Sequence, residues 1–468
     1  MNDPYGSLEE YEIGAEGKPR RWPVKAIACL LLLVMLCGVI STPLAILLYW
    51  NNSRQERPLP TAAPVEAVEP VEPAETVAGV NRIAYITPEQ QLATIAPDGT
   101  DQRLLTDVEQ SFQFPAWSPD NGRLAVIGSE QDGGVGVYVI PDQSGGELQT
   151  LYYSDSQPPF YLYWSPDSNL VSFLANHPSG IGFHIGDVVA DTSRLLATGN
   201  PFYWDWTPAG DRILIHSGFS GEDSRLALID PNGEGDEDNI TEPGFFQAPG
   251  ISPNGRLWAY AQVDDEDNSQ LTILDAESGQ PQQTEAHSGL VAMSWSPAAE
   301  VLAFITPGIE APVFYGPLHL LDAATGESRV IADDLVIAFF WSPDGRYIAY
   351  FTVAETDDST IQAGISGKTN QAGKPNLQEE DLFLEVWLAD TLDGSVRRLR
   401  AFEPTNIFVF QFLPFFDQYS LSHRIWSPDS SSLVLPVMEN GVPRISVIPI
   451  DGRQAGVIVD GLIGFWSR

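Results

Sequence analysis

The chain has 468 residues, 43% of them hydrophobic, and a formal net charge of −39 from 63 acidic and 24 basic residues. So acidic a surface repels phosphate backbones and excludes sequence-independent nucleic-acid binding; it suits a solvated domain, with a cation or a basic partner as the sharper reading. The two cysteines, Cys29 and Cys37, both lie in one apolar segment, so a disulfide framework, a zinc cluster or a thiol nucleophile is excluded elsewhere.

Residues 1–24 read as a short cytoplasmic tail with an acidic stretch, Glu9-Glu10-Tyr11-Glu12. Ala26 to Trp50 is a run without a charge. As a helix it would be about 37 Å long, enough to cross a hydrocarbon core of about 30 Å. Residues 25–50 are therefore the expected transmembrane helix, and the bilayer is the expected partner of residues 26–50. Lys18, Arg20, Arg21 and Lys25 precede the run. They belong in the cytoplasm, which places the rest of the chain outside a cell membrane crossed once. A cleaved signal peptide is the alternative, although its apolar core is usually only about 7–15 residues. Residues 51–79 form a linker in which regular Pro and Glu give an extended, self-repelling spacer.

From Val80 to the end one pattern recurs. Trp117-Ser-Pro-Asp120, Trp164-Ser-Pro-Asp167, Trp206-Thr-Pro208, Ile251-Ser-Pro-Asn254, Trp295-Ser-Pro297, Trp341-Ser-Pro-Asp344 and Trp426-Ser-Pro-Asp429 each precede an apolar run, and Phe465-Trp466-Ser467 is half a motif. The spacings are 47, 42, 45, 44, 46, 85 and 40 residues. A period in the forties is that of a four-stranded propeller blade. The long interval is one blade with an inserted loop at about 356–380. Ser-Pro-Asp-Gly is a turn, with Pro presetting φ at the second position. The preceding Trp is large enough to fill the wedge between blades. Trp117, Trp164, Trp206, Trp295, Trp341, Trp426 and Trp466 are therefore expected in the core.

These repeats resemble the TolB-type, WD-repeat-like β-propeller family, whose hallmark is a Trp-Ser-Pro-Asp-Gly turn before an Ile-Ala-Tyr or Ile-Ala-Phe strand. The resemblance spans residues 80–468. It implies an all-β propeller and says little about function, because the family hosts binding modules, periplasmic scaffolds and the propellers of some peptidases.

The closing half-motif finds its missing half in Asn81-Arg-Ile-Ala-Tyr85. The C-terminal strand is thus expected to complete the first blade, which gives eight blades, with seven as the alternative. With strands lettered A to D from the centre outwards, the Trp-Ser-Pro-Asp turn joins A to B. B–C loops and D–A connections then share one face. That face carries Asp264, Asp265, Glu266, Asp267, Asp357 and Asp358. Residues 401–424, with Phe402, Phe408, Phe415, Phe416 and Tyr419, form an aromatic-rich D–A connection. The acids and these aromatics are the candidate interaction surface. The alternation at Phe408, Phe410 and Phe412 also reads as a half-buried strand.

No nucleophile elbow, phosphate loop or dinucleotide fingerprint is present, and the six histidines lack metal-ligand spacing. No cofactor is expected. Calcium at Asp230 to Asn239 is the weak exception, set against a solvated acidic turn. The function expected is a membrane-anchored, extracytoplasmic module that binds protein, peptide or envelope glycan. The alternative is a hydrolase or lyase with its site in the central funnel, and a third reading is a sensor coupled to the short tail.

Overall fold

The computed structural model describes residues 81–131, 133–218, 224–263, 268–307, 315–354 and 382–468. The tail, the membrane segment, the linker, Asp264 to Asp267 and the 356–380 insertion, with Asp357 and Asp358, lie outside the described residues. Among the described residues no helix is long and apolar enough to cross a membrane.

The described chain is an eight-bladed β-propeller of antiparallel sheets. Blade two shows the pattern: Ser111–Trp117 is strand A, Arg123–Ser129 strand B, Val135–Pro141 strand C and Gln149–Ser154 strand D. Blades three to seven follow in chain order. In blade eight Ser432–Glu439, Val442–Pro449 and Gly456–Asp460 form the sheet, and strand A is reduced to a single bridge from Trp426 to Leu433. Trp206 and Ile251, which head the weaker motifs, end the A strands of blades four and five, so the count of seven is excluded. Blade one closes the ring: Ile463–Trp466 pairs with Ile83–Ile86, with Trp466 opposite Ile83 and Ile463 opposite Ile86. Blade one is thereby a full four-stranded sheet with its innermost strand supplied by Ile463–Trp466.

The repeated turn is held by its own side chains. Ser118 Oγ donates to Asp120 Oδ1 at 2.5 Å and accepts the Arg123 N–H at 3.0 Å, and Ser165, Ser342 and Ser427 do the same in their turns. In every turn but that of blade six, where Ala299 stands, the fourth position has a positive φ, which favours glycine and is met by Gly210, Gly255 and Gly345. At the three positive-φ positions held by other residues, the side chain reaches the preceding blade. Asn121 exchanges two hydrogen bonds with the Arg468 backbone, Ser168 Oγ accepts from Asp120 N–H, and Ser430 Oγ accepts from Asp344 N–H.

The motif tryptophans join blade to blade. Five indole N–H groups donate to the carbonyl one residue before the preceding blade's motif position: Trp117 to Phe465, Trp164 to Ala116, Trp295 to Gly250, Trp341 to Ser294 and Trp426 to Phe340, while the Trp466 indole donates to Asn81 Oδ1. At Trp206 the same link is relayed, because its indole donates to Ser172 Oγ, which donates to Tyr163 O. Blade five has Ile251 in place of Trp, and there the Ile251 N–H donates to the Asp205 carboxylate at 2.9 Å. All the motif tryptophans but Trp341, which is half-buried, are buried, as expected of core residues.

A second set of links runs round the rim. D-strand side chains donate to carbonyls at the next blade's C–D turn: Arg103 to Asp142, Gln149 to Val188, Arg194 to Pro231, Arg329 to Thr391 and Arg397 to Ile450. All four lysines of the chain fall outside the described residues, so arginine is the basic residue of the described propeller, and four of its sixteen described arginines serve this bracing.

Candidate functional site

A propeller's natural site is its axis, where the A strands of all blades converge. Here the axis is filled by residues 405–423. The run Phe408-Val-Phe-Gln-Phe412 is a π-helix, Leu413–Phe415 a 3-10 turn and Phe416–Ser422 a short α-helix. Their side chains meet A strands around the ring. Phe412 stacks on Phe340 of blade seven at 5.6 Å and lies 5.3 Å from Phe465 of blade one. Phe416 meets Phe339 edge-on at 5.1 Å, and Tyr419 meets Phe114 of blade two at 5.3 Å and Tyr161 of blade three at 4.9 Å.

Polar groups fix the plug between blades three and five. Gln418 Oε1 accepts the Trp204 N–H and its Nε2 donates to Trp204 O, both at 2.9 Å. Tyr161 donates to Gln418 O at 2.8 Å and shares a 2.8 Å bond with Ser422 Oγ. Asp417 accepts from Ala248 N–H at 3.2 Å, just before the A strand of blade five. Thr405 Oγ1 donates to Leu462 O at the other end of the segment.

This corrects the expectation for the aromatic connection. Phe402 ends a D strand and packs on Phe351 and Phe408; Phe408, Phe416 and Tyr419 are buried in the axis, and Phe415 is half-buried. They form a plug, not a surface prominence. The strand read into positions 408, 410 and 412 is corrected too: the segment is helical, and Phe410 is its exposed side chain. A signal was present, since Phe408, Phe412, Phe416, Tyr419 and His423 recur every three or four residues. The acidic candidates, Asp264, Asp265, Glu266, Asp267, Asp357 and Asp358, belong to B–C connections whose flanking strands are paired, but the residues themselves lie outside the described set.

Ionisation is strongly perturbed at the axis. Burial pushes the Asp417 carboxyl up to about 7, against the pull of its backbone N–H donors. Asp205, on the A strand of blade four, is likewise pushed to about 7 by burial while accepting bonds from Ile251 N–H and Tyr163 OH. Burial holds His423 down to about 3. Arg424 is drawn down to about 10, by burial first and by Arg468 second. These values mark dry surroundings. The groups lack the paired geometry of an acid and a base across an open cleft, because helix and aromatic rings occupy the space between the blades.

Among the described residues no group of three or more His, Cys, Asp or Glu could hold a metal ion. His177 is engaged with Ser179, and His184 is buried against Phe173 and Tyr152. In the stretch Asp230 to Asn239, Asp230 caps its own turn, Glu237 pairs with Arg225 and Asp238 with Arg212, so these carboxylates serve the hairpin.

No family model matches the chain, and no curated protein matches it. Solved structures do. A prolyl endopeptidase aligns with a TM-score of 0.51 and 12% identity, covering 75% of this chain and 50% of that one. The chain thus spans about half of that protein, and the likeness shows the fold. An oligogalacturonate lyase in complex with manganese aligns with a TM-score of 0.43 and 11% identity over 81% of this chain and 83% of that one. TolB from Acinetobacter baumannii aligns at 0.35 and 16% over 74% and 82%. The structures similar to this one include both enzymes and TolB.

Proposed function

We propose that the chain is a membrane-tethered, extracytoplasmic propeller of the TolB-like type, and that it works as a scaffold binding a protein, peptide or envelope glycan on its loop-bearing face. One observation carries the reading. The axis, where a propeller enzyme would admit substrate, is taken up by residues 405–423, bonded to strands of several blades. A funnel hydrolase or lyase needs that space. The B–C and D–A side keeps the longest connections, and long connections carry function more often than short ones. The tether rests on the uncharged run from Ala26 to Trp50 and the basic residues before it.

Two measurements test this reading. Protease added outside intact protoplasts should cut the linker and release a propeller-sized fragment; full protection of the chain would overturn the topology. Whole-cell crosslinking with mass spectrometry should capture a defined partner from the parent, and less of it after deletion of residues 359–378. Turnover of an envelope glycan or peptide by purified chain, abolished by a substitution at the axis, would overturn the scaffold reading.

A further inference from the structure

The plug leaves one end of the axis polar. On the A–B turn side, Arg424 and Arg468 flank the bridge between Arg424 and Trp466. Arg424 O accepts the Trp466 N–H at 2.7 Å, so these segments of blades eight and one run side by side. Asn121 fixes the Arg468 backbone through bonds of 2.6 and 2.8 Å, and the Arg468 guanidinium turns inwards to donate to Leu421 O, at the end of the plug helix. Tyr163 and Asp205 stand within electrostatic reach of Arg468, with the tyrosine hydroxyl donating to the carboxylate at 3.4 Å.

Two arginines share this mouth with one buried carboxylate, Asp205. Arg82, Arg103, Arg212 and Arg346 each hold a carboxylate. Arg194, Arg329 and Arg397 stand apart on the rim, each donating to a carbonyl of the next blade. Arg424 and Arg468 are together, both half-buried, and neither forms an ion pair with a described carboxylate. Asp205 lies within electrostatic reach of Arg468 but forms no ion pair with either arginine, so two half-buried like charges face a single carboxylate. In a chain of net charge −39, so rich in acids, such a pair is the reverse of what the surface as a whole presents. A planar guanidinium fork is built for a two-oxygen anion.

We propose that Arg424 and Arg468, at the A–B end of the axis, form a binding site for an oxyanion, a carboxylate or a phosphate, on the face opposite the long loops. The site goes beyond the scaffold reading and does not depend on it. It offers a small anchor for one acidic group, such as the carboxylate of a peptide or sugar acid or a free phosphate.

The test uses the full chain and three probes at matched ionic strength: inorganic phosphate, succinate and chloride. Thermal unfolding should shift upwards saturably with phosphate, with succinate or with both, and not with chloride, because a ligand bound only by the folded state stabilises it. Which of the two acts assigns the source of the oxyanion. R424Q should weaken the apparent affinity about tenfold or more, the loss expected for a charge-assisted fork, and R424K should fall between R424Q and the parent. Without added anion R424Q should melt no lower than the parent, since one of two repelling charges is gone. A purely structural arginine would give the opposite, a lower melting temperature with the anion response kept. That result, or no shift with either phosphate or succinate, would overturn the proposal.

Discussion

The Gln418 side chain pairs with the Trp204 backbone as a neighbouring strand would, Oε1 accepting the N–H and Nε2 donating to the carbonyl, both at 2.9 Å. An innermost strand has one edge facing the axis, with no further strand to satisfy it. One primary amide carries a donor and an acceptor at the right spacing to cover that edge. Gln418→Ala would leave both Trp204 groups buried and unpaired, at about 1–3 kcal/mol each. The expected outcome is a chemical-denaturation midpoint lowered by about 2–4 kcal/mol in stability with the slope unchanged. Gln418→Glu sets a buried carboxylate against the Trp204 carbonyl oxygen, so in its ionised form it should cost at least as much as Gln418→Ala.

The buried carboxyls give the propeller a pH dependence of known sign. Asp417 and Asp205 titrate at about 7 in the folded chain, against about 3.9 when unfolded. The folded state therefore holds protons that the unfolded state has released. The stability this confers is full below about pH 4 and is lost as pH rises through about 7, at up to about 1.4 kcal/mol per pH unit for each group. His423, held down to about 3, works the other way, and its contribution is lost as pH falls below the ordinary histidine range. Comparing D417N with the parent isolates the carboxyl. The parent should lose stability relative to D417N steadily from pH 5 to about pH 7 in urea unfolding, and the difference should level off above that. A constant difference would show that Asp417 is ionised throughout.

The indole links between blades have a measurable worth. Trp164→Phe keeps most of the buried ring and removes the donor to Ala116 O, so it should cost about 1–2 kcal/mol. Trp164→Ala adds a cavity between blades two and three and should cost about 3–5 kcal/mol. Equal losses from the two variants would assign the whole effect to the hydrogen bond.

Ring closure rests on few residues. Deleting residues 462–468 removes strand A of blade one, together with the acceptors for Trp117 Nε1 and Thr405 Oγ1. Cooperative unfolding should be replaced by a broad transition or by aggregation, because an open ring exposes an edge and loses contacts on both sides of the gap. A truncated chain that melts like the parent would mean that closure contributes little.

Much of this architecture was legible in the residues. The period of the Trp-Ser-Pro-Asp turn gave the blades, and the half-motif at Phe465-Trp466-Ser467 gave the closure, because both are local patterns repeated at a fixed distance. The plug was not legible in the same way. Its aromatic run occurs once, so no repeat frames it, and its three helical geometries each last only a few residues. Alternation at Phe408, Phe410 and Phe412 competed with the helical stripe and, in a chain otherwise made of strands, was the more natural reading. The axial arginines were equally hidden. Arg424 and Arg468 are 44 residues apart in sequence and meet only because the ring closes.

The scaffold reading is tested most directly by asking which face touches a partner. A photo-crosslinking residue placed at Gln131 or Asn440 reports from exposed B–C turns on the loop face, and one at Asp393 reports from an exposed C–D turn on the opposite face. In living cells the loop-face positions should yield a defined crosslinked species that is lost when residues 359–378 are deleted, while position 393 yields none. Equal labelling from both faces, or no species from the loop face in any growth condition, would contradict the claim that this propeller binds through its loop-bearing face.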